Sequence, residues 1–536
     1  ILAQVQRSCA PCVSLCSMSL LDGPEKRCES FEERRPFGRI YVWEPKSIRI
    51  RAINWFHVFT AEYVQGFHIF AALVIAVTVL SRLWQQKFWP LVATIHTLAT
   101  DATSREAVAV VAVVLSYFFR RKRAVYCIEN VVFVPPKDWR LSHDELNSIM
   151  RGQGTFNDDS QKFLSRMLER SGTGTTTHWP PGWVAAKDGE TKVEPSVAMS
   201  RQEVEDVVFP IVREVLDKAR LSPRDVDFLI VNCSLFVPTP SICAMITHHF
   251  QMRSDIRSYN LGGMGCSANV ISVDLAKQLI QNTPGTRALV ISTENLSQSF
   301  YFGQDKSMLL QNTLFRCGGV ALVLSSCLSD SSRAKYKLQY TGRTQMNDDD
   351  SYKCVFEQQD GSGNRGIALS KDIVNVAGRA MKANFVQLAP HVLPIREQAK
   401  TIFSMMMIQL SHLAKKSGLN VTSPKQYTPD FTTGVDHFCI HAGGRAVIDG
   451  VQKNLKLADK YMQPSKDTLY EWGNTSSSSI WYELEWIERH GNLMRGDRIL
   501  QVAFGSGFKC NSSVWIALRV DKTKQGVRLK GEDLSG

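Results

Sequence analysis

The chain has 536 residues, of which 44% are hydrophobic and 21% are charged, and this balance excludes general disorder, collagen-like repeats and low-complexity sequence. Its 13 cysteines are too sparse for a disulfide scaffold, and most lie singly within apolar segments, so we expect a reduced protein that faces the cytosol. The net charge of +12 is concentrated in residues 1 to 123, and no zinc-finger, homeodomain or RNP pattern accompanies it, so we expect no nucleic-acid partner.

We predict that residues 1 to 45 form a disordered tail. An apolar segment lies beyond this tail. Between Glu62 and Arg82 lie 19 residues without a formal charge, close to the ~20 residues with which a helix crosses the core of a bilayer. The sequence therefore predicts a membrane span over residues 63 to 81.

A second apolar run, Ala107 to Phe119, has 13 uncharged residues and needs flanking charges near an interface to complete a span over about residues 100 to 119. A buried core helix is the alternative interpretation of this run. The basic cluster Arg120 to Arg123 follows at once, so the positive-inside rule places both ends of the predicted hairpin in the cytosol. Residues 46 to 123 are thus predicted to anchor a cytosolic C-terminal part in a membrane.

The remainder of the chain alternates short runs of β-formers with helical patterns, which favours a layered α/β fold. The predicted strands are Phe228 to Val231, Ala288 to Ile291, Val320 to Leu324, His437 to His441 and Ile499 to Phe504. Two polar, Gly-rich stretches, Thr173 to Pro195 and Gln345 to Arg365, are predicted to be surface loops. We also predict two related halves, residues 124 to 370 and 371 to 520, followed by a charged tail at 521 to 536.

A glycine-rich turn surrounds Cys266. The segment NLGGMGCSA runs directly into a pattern of apolar residues at helical spacing, which ends at Pro284 and Gly285. Cys266 is therefore predicted to lie at the start of a buried helix, where the helix dipole and free N–H groups favour a thiolate. This position suits a nucleophilic cysteine that forms a thioester, and a packed core thiol is an equal alternative.

Three later turns carry polar groups that suit acyl chemistry. A short strand ends at His441 before a glycine turn, and Asn474 precedes a run of serines typical of a helix start. A further strand-to-glycine turn offers N–H groups for an oxyanion hole. Its residues are Gly505, Ser506, Gly507 and Phe508. Cys, His and Asn on loops after strands form the candidate catalytic set.

The chain resembles the plant and algal 3-ketoacyl-CoA synthases, the condensing enzymes of very-long-chain fatty-acid elongation. The resemblance is carried by the segments NLGGMGCSA, DHFCIHAGGRAVIDGVQKNL, EWGNTSSSSIWYELEW and GDRILQVAFGSGFKCNSSVW. It covers roughly residues 45 to 520. It implies a thiolase-like, five-layered αβαβα fold of two pseudo-repeated halves behind an N-terminal transmembrane hairpin, a homodimer and a location at the endoplasmic reticulum membrane.

The resemblance also implies a reaction. Cys266 would take the acyl group from an acyl-CoA, and His441 and Asn474 would bind the malonyl-CoA carbonyl and stabilise the enolate formed on decarboxylation. Attack on the acyl-Cys266 thioester would give a 3-ketoacyl-CoA two carbons longer, CO2 and CoA. No cofactor and no metal is implied, and the implied partners in an elongase complex are a ketoacyl-CoA reductase, a dehydratase and an enoyl reductase.

Two positions depart from the family pattern. Gln345 stands where an RTH-type segment has its histidine, which puts an auxiliary role there in doubt, and Asn269, where glycine commonly follows CSA, is expected to crowd the helix. His437, four residues before His441, is predicted to be an auxiliary, hydrogen-bonded neighbour, because no acidic third metal ligand has suitable spacing. The Met-rich stretch Ile402 to Leu413 is expected either to line or gate an acyl tunnel or to form an amphipathic core helix.

Two other functions stay open at this point. A polyketide synthase similar to chalcone synthase also uses Cys, His and Asn with CoA thioesters, and the predicted membrane span speaks against it. A catalytically silent membrane scaffold of an elongase complex would carry the same fold. The intact set of Cys266, His441 and Asn474 speaks against the scaffold.

Overall fold

The computed structural model describes residues 123 to 520 apart from positions 194, 419, 426 and 492. The predicted N-terminal tail, both predicted spans and the predicted C-terminal tail therefore lie outside the described residues. Within the described part, no helix is both long enough and apolar enough to cross a membrane.

The described part alternates strands and helices as predicted, and all five predicted strands are present, as β4, β6, β7, β11 and β12. The strands are β1 (Val125–Val132), β2 (Arg140–Ser142), β3 (Thr176–His178), β4 (Phe228–Asn232), β5 (Arg257–Leu261), β6 (Arg287–Thr293), β7 (Gly319–Ser325), β8 (Tyr336–Gln345), β9 (Val355–Gln359), β10 (Arg365–Leu369), β11 (His437–Ile440), β12 (Arg498–Gly505) and β13 (Lys509–Ala517). The helices are α1 (His143–Gly152), α2 (Asp158–Arg170), α3 (Pro181–Val184), α4 (Val197–Lys218), α5 (Ile242–His249), α6 (Ala268–Asn282), α7 (Lys306–Leu314), α8 (Asp349–Tyr352), α9 (Ile373–Val392), α10 (Ile395–Lys416), α11 (Arg445–Leu455), α12 (Asp459–Trp472) and α13 (Ser479–His490).

Nine strands form one continuous mixed sheet in the order β11-β12-β13-β8-β1-β7-β6-β4-β5. The pairs β4/β5, β4/β6 and β11/β12 are parallel, and the other neighbours are antiparallel. Outward from the centre, β1-β7-β6-β4 and β8-β13-β12-β11 follow the same scheme of two antiparallel pairs and one parallel pair. The two halves therefore meet between β7 and β8, earlier than the predicted division near residue 370, because β8 pairs with β13 along its length.

Alternate residues of one strand face two different cores. In β6, Val290 faces the core that contains α6 and α13, whereas Leu289 faces the core beneath α4. In β12, Ile499 shares the core of α6 and α13, whereas Leu500 packs with α9 and α11. Since side chains alternate across a strand, α6 and α13 lie between the two halves of the sheet and the other helices cover the outer faces. The layer order is αβαβα.

A short seam joins the two halves of the sheet. β1 and β8 pair over three positions, from Val125 opposite Leu338 to Cys127 opposite Tyr336. β7 ends and β13 ends beside this seam, and β6 and β12 begin there. We call this the seam edge of the molecule. The C-terminal ends of β4, β6, β11 and β12 reach the opposite edge.

Both predicted surface loops contain regular structure. The stretch Thr173 to Pro195 includes β3 and α3, and its Trp179 and Trp183 are fully buried. The ring of Trp183 lies 4.0 Å from that of Phe300, so aromatic burial outweighs the local turn signals. The stretch Gln345 to Arg365 includes α8 and β9, which pairs with β10 as a hairpin.

Candidate active site

A mostly apolar cavity of about 560 Å³ brings most of the predicted site residues together. It is lined by Cys266, His441, Asn474, Gln345 and the turn Gly505 to Phe508. His437 is not among the lining residues. It is the first residue of β11, at the seam edge, where its Nε2 lies 2.9 Å from Oδ2 of Asp497. Within the described residues, no group of three His, Cys, Asp or Glu side chains is placed to hold a metal ion.

Two glycine turns interlock around Cys266. The cysteine lies in a 3-10 turn, Gly265–Ser267, and α6 begins directly after it, as predicted. A Cβ on Gly265, whose φ is 69°, would lie 2.5 Å from the Ser506 nitrogen, and a Cβ on Gly505 would lie 2.5 Å from Oγ of Ser267. Neither position has room for a side chain, so both motifs need glycine for close backbone approach.

The Cys266 thiol is protonated at neutral pH. Burial raises the pKa of Cys266 to about 12, the Ser476 hydroxyl at 3.6 Å from its sulfur acts in the opposite direction, and the carboxyl of Glu294 raises the pKa further. The expectation of a thiolate at this helix start is therefore wrong, because burial removes the hydration that stabilises the charged form.

Glu294, the residue directly after β6, is linked to Cys266 through the Ser476 hydroxyl. Its side chain is 4% exposed, and Oε1 accepts hydrogen bonds from the backbone N–H groups of Ser234 and Leu235 at 2.9 and 2.8 Å. Its Oε2 accepts from the Ser476 hydroxyl at 2.9 Å. Burial raises the pKa of Glu294. The sequence analysis assigned no role to Glu294 or Ser476; a carboxylate directly after a strand with an apolar centre was the available signal.

His441 is held as a neutral ring. Its Nδ1 lies 2.6 Å from Oγ of Ser479, and burial lowers the pKa of His441 to about 4. When the Ser479 hydroxyl donates to Nδ1, the ring proton is on Nε2. A Cβ on Gly443 would lie 3.1 Å from that nitrogen, so glycine at this position keeps Nε2 accessible.

Asn474 is fixed through both its backbone and its side chain. Its N–H donates to the Leu314 carbonyl at 3.1 Å, and its carbonyl accepts from the Arg316 N–H at 2.9 Å. Its Oδ1 accepts from the Ser476 N–H at 2.9 Å, and its Nδ2 donates to the Gly443 carbonyl at 3.3 Å. The amide is therefore oriented, and one Nδ2 hydrogen remains for a further acceptor.

Comparisons with known proteins identify the family. A family described as FAE1/Type III polyketide synthase-like protein matches residues 117–410, and the C-terminal part of 3-oxoacyl-[acyl-carrier-protein] synthase III matches residues 432–516. 3-Ketoacyl-CoA synthase 5 of Arabidopsis thaliana is 46% identical over 410 residues, which cover 76% of this chain and 80% of that protein. 3-Ketoacyl-CoA synthase 2 of the same plant is 44% identical over 415 residues, 76% of each chain. The chain belongs to the 3-ketoacyl-CoA synthase family.

Solved structures share the fold of this 3-ketoacyl-CoA synthase at low sequence identity. A type III pentaketide synthase from Neurospora crassa has a TM-score of 0.57 and 16% identity, and covers 73% of this chain and 99% of its own. The 1,3,6,8-tetrahydroxynaphthalene synthase of Streptomyces coelicolor A3(2) has a TM-score of 0.54 and 19% identity, and covers 74% and 99%. These structures confirm the thiolase-like α/β fold and bear on the fold alone.

The two departures from the 3-ketoacyl-CoA synthase pattern differ in kind. Asn269 is 1% exposed, its Nδ2 donates to Ser292 at 2.8 Å and its Oδ1 accepts from the Trp481 indole at 2.6 Å. The expected crowding is absent, because the side chain joins α6, β6 and α13 through satisfied hydrogen bonds. Gln345 is the exposed last residue of β8, opposite Lys509 of β13, and its side chain borders the cavity.

The apolar wall of the cavity comes from α7 and the β9/β10 hairpin. Its residues include Leu310, Leu314, Val355, Phe356, Ile367 and Leu369. The Met-rich stretch Ile402 to Leu413 is absent from the lining. It lies in α10 with Phe403 and Met406 59% and 49% exposed, so the expectations of a tunnel wall and of a core helix are both wrong.

Proposed function

We propose that this 3-ketoacyl-CoA synthase condenses a long-chain acyl-CoA with malonyl-CoA and that Cys266, His441 and Asn474 carry the reaction. The observation that supports the residue assignment is that a thiol, a neutral imidazole and an oriented amide line one cavity with an apolar wall. An apolar wall suits the acyl chain, and the three polar groups suit the two thioester carbonyls.

In the first step, the Cys266 sulfur attacks the acyl-CoA thioester. The bond from carbonyl carbon to the Cys266 sulfur forms, the bond to the CoA sulfur breaks, and the thiol proton leaves with CoA. The tetrahedral oxyanion is stabilised by the N–H groups of Cys266 and of the turn Gly505 to Phe508. The Ser476 hydroxyl, 3.6 Å from the sulfur, stabilises the thiolate as it forms.

In the second step, malonyl-CoA loses CO2 and its thioester becomes an enolate. His441 Nε2–H and Asn474 Nδ2–H donate to the enolate oxygen, where charge develops. Because both groups are neutral, donation needs no proton transfer to or from the ring. The enolate carbon then attacks the acyl-Cys266 carbonyl, the thiolate leaves and takes up a proton, and the 3-ketoacyl-CoA is two carbons longer.

The membrane location and the protein partners of the enzyme are part of the same proposal. Residues 46 to 123 anchor the protein in the endoplasmic reticulum membrane, and the catalytic part faces the cytosol. The apolar run Ala107 to Phe119 and the basic cluster after it support this orientation. We further propose a homodimer that works beside a ketoacyl-CoA reductase, a dehydratase and an enoyl reductase, as the family resemblance implies.

The reaction is tested with the full chain reconstituted in lipid vesicles. Labelled malonyl-CoA is supplied with a series of saturated acyl-CoAs and, separately, with aromatic acyl-CoA starters, and 3-ketoacyl-CoA and CO2 are measured beside a Cys266→Ser control. Product from the unchanged protein and none from the Cys266→Ser variant supports the proposal. No product from folded protein with any of these acyl-CoAs would overturn it in favour of a silent scaffold, and product with aromatic starters alone would favour a polyketide synthase.

A further inference from the structure

Helix α10 presents most of its apolar side chains to solvent, whereas its buried residues, Glu397 and Ser411, are polar. The exposed set lies at helical spacing and comprises Ile395, Ile402, Met406, Leu410 and Leu413, which we call the α10 apolar face. These side chains are between 49% and 84% exposed. A helix that packs on a soluble protein normally has the opposite arrangement, with its apolar stripe facing inward.

The inward stripe of α10 is polar and hydrogen-bonded. Glu397 accepts from the Tyr427 hydroxyl at 2.7 Å, and the Ser404 hydroxyl oxygen accepts from the Tyr427 N–H at 2.9 Å. The Ser411 hydroxyl donates to Ser423 at 3.2 Å. The chain segment after α10 thus fixes the rotation of the helix, so the apolar face cannot turn inward without breaking these bonds.

Basic side chains stand at both ends of the α10 apolar face. Arg396 and Lys400 lie near its start, and Lys415 and Lys416 lie at its end. The acidic residue of the helix, Glu397, is 5% exposed and pairs with Lys400. Apolar residues flanked by exposed lysine and arginine are typical of helices that lie in the interface of an anionic membrane.

The start of α10 lies at the seam edge. The His391 carbonyl, at the end of α9, accepts from Nε2 of Gln339, the neighbour of Leu338, and Leu338 pairs with Val125. Arg123, the first described residue, therefore emerges at the same edge. Two other exposed apolar side chains lie there as well: Leu328, after β7, is 80% exposed, and Met494, before β12, is 66% exposed.

The preceding chain brings a membrane to this edge. The apolar run Ala107 to Phe119 ends four residues before Arg123, a connection that spans at most roughly 14 Å when fully extended. We propose that the α10 apolar face docks onto the lipid bilayer that holds this anchor. The inference rests on the membrane anchoring in the proposed function and adds a second point of attachment, which fixes how the catalytic part stands on the membrane.

Photo-crosslinking in the full chain identifies what covers the face. A diazirine amino acid replaces Met406, or in a matched control Val197, which is 50% exposed and begins α4 on the opposite edge from the seam. Each protein is reconstituted in vesicles of phosphatidylcholine and phosphatidylserine, illuminated and analysed by mass spectrometry. We expect lipid adducts at position 406 and none at position 197.

The outcomes separate the two levels of the proposal. Protein that floats with the vesicles but gives adducts at position 406 with a second copy, with its own chain or with nothing would overturn the docking inference and leave the anchor standing. Protein that does not float would overturn both. In a second arm, Leu410→Glu should reduce the lipid adduct at position 406 without lowering the melting temperature in detergent, because Leu410 is half exposed; an unchanged adduct would contradict the docking.

Discussion

The Ser476 hydroxyl oxygen lies 3.6 Å from the Cys266 sulfur. The same hydroxyl is 2.9 Å from Glu294, and it has one proton to donate. When that proton is given to Glu294, the oxygen can accept from the thiol; when Cys266 becomes a thiolate, the proton can turn to the sulfur. Ser476 has a φ of 58°, in the left-handed region that a serine adopts at a cost, which is typical of strain retained at functional sites.

Replacing Ser476 by alanine should slow acylation of Cys266. The thiolate loses a hydrogen bond of the charged type, worth about 1.5 to 3 kcal/mol, so a fall of roughly 10- to 100-fold is expected. The measurement is the rate of CoA release from acyl-CoA in the absence of malonyl-CoA. Ser477→Ala is the matched control, because its buried hydroxyl donates to Asn232 instead. Equal rates in the two variants would argue against a role for Ser476.

Replacing Glu294 by glutamine should make Cys266 more reactive toward alkylation. The Glu294 carboxyl raises the pKa of Cys266, so removal of its charge should move the pH profile of iodoacetamide modification to lower pH. Glu203→Gln is the control: Glu203 is equally buried and caps the N–H groups of Leu296 and Ser297, away from the thiol. Identical profiles for both variants would contradict the electrostatic link.

Removing either proposed enolate donor should block condensation after acylation. His441→Ala or Asn474→Ala should lower the rate of malonyl-CoA decarboxylation by about 10²- to 10³-fold, the effect of losing one preorganised donor. Acyl-enzyme should still form and be visible by intact-protein mass spectrometry. His437→Asn should keep most activity, since His437 contacts Asp497 rather than the cavity. An acylated His441→Ala enzyme with an unchanged rate would rule out this assignment.

The buried His441 should make the fold sensitive to mild acid. Burial lowers its pKa from 6.5 to about 4, so between these values the unfolded chain binds a proton that the folded chain does not. Its contribution to the free energy of unfolding is therefore present above pH 6.5 and is lost as pH falls toward 4. Between pH 7 and 5 the native protein should lose about 2 kcal/mol more than His441→Gln in urea unfolding. Equal losses would show that the ring titrates normally.

Asn269→Gly, which restores the common family residue, should destabilise this chain. The change leaves the Trp481 indole without its acceptor, removes one of two hydrogen bonds to the Ser292 hydroxyl and puts glycine inside α6, a combined cost of about 2 to 4 kcal/mol. Thermal melting in detergent measures the effect. A melting temperature equal to or above that of the unchanged protein would mean that the hydrogen bonds of Asn269 contribute little.

The sequence predicted those features that depend on local pattern. The apolar runs of β4, β6, β7 and β12 and the helix after Cys266 are present because burial on both faces and helical spacing leave a clear signal. The placement of His441 and Asn474 beside Cys266 came from family motifs, since no local pattern shows which loops meet in space.

Features that depend on tertiary packing were missed or misjudged. The tryptophans at 179 and 183 lie in a stretch rich in turn residues, and their burial is decided by partners more than 100 positions away, such as Phe300. The thiolate expected at Cys266 failed because desolvation is a property of the assembled site. Helix α10 has an ordinary amphipathic sequence, and nothing local indicates that its polar side faces the protein.

The interlocked turns at Gly265 and Gly505 tolerate fewer substitutions than other parts of the cavity lining. Each turn comes from a different half of the chain, so a larger side chain in either one requires a matching retreat in the other. The β9/β10 hairpin is constrained by side chains instead of backbone: a Cβ on Gly366 would lie 2.7 Å from the Tyr301 side chain and 2.9 Å from that of Met308, and side chains change more easily than backbone. Divergence in the length of acyl chain that relatives accept should therefore accumulate in the hairpin, while the reactive end keeps one shape.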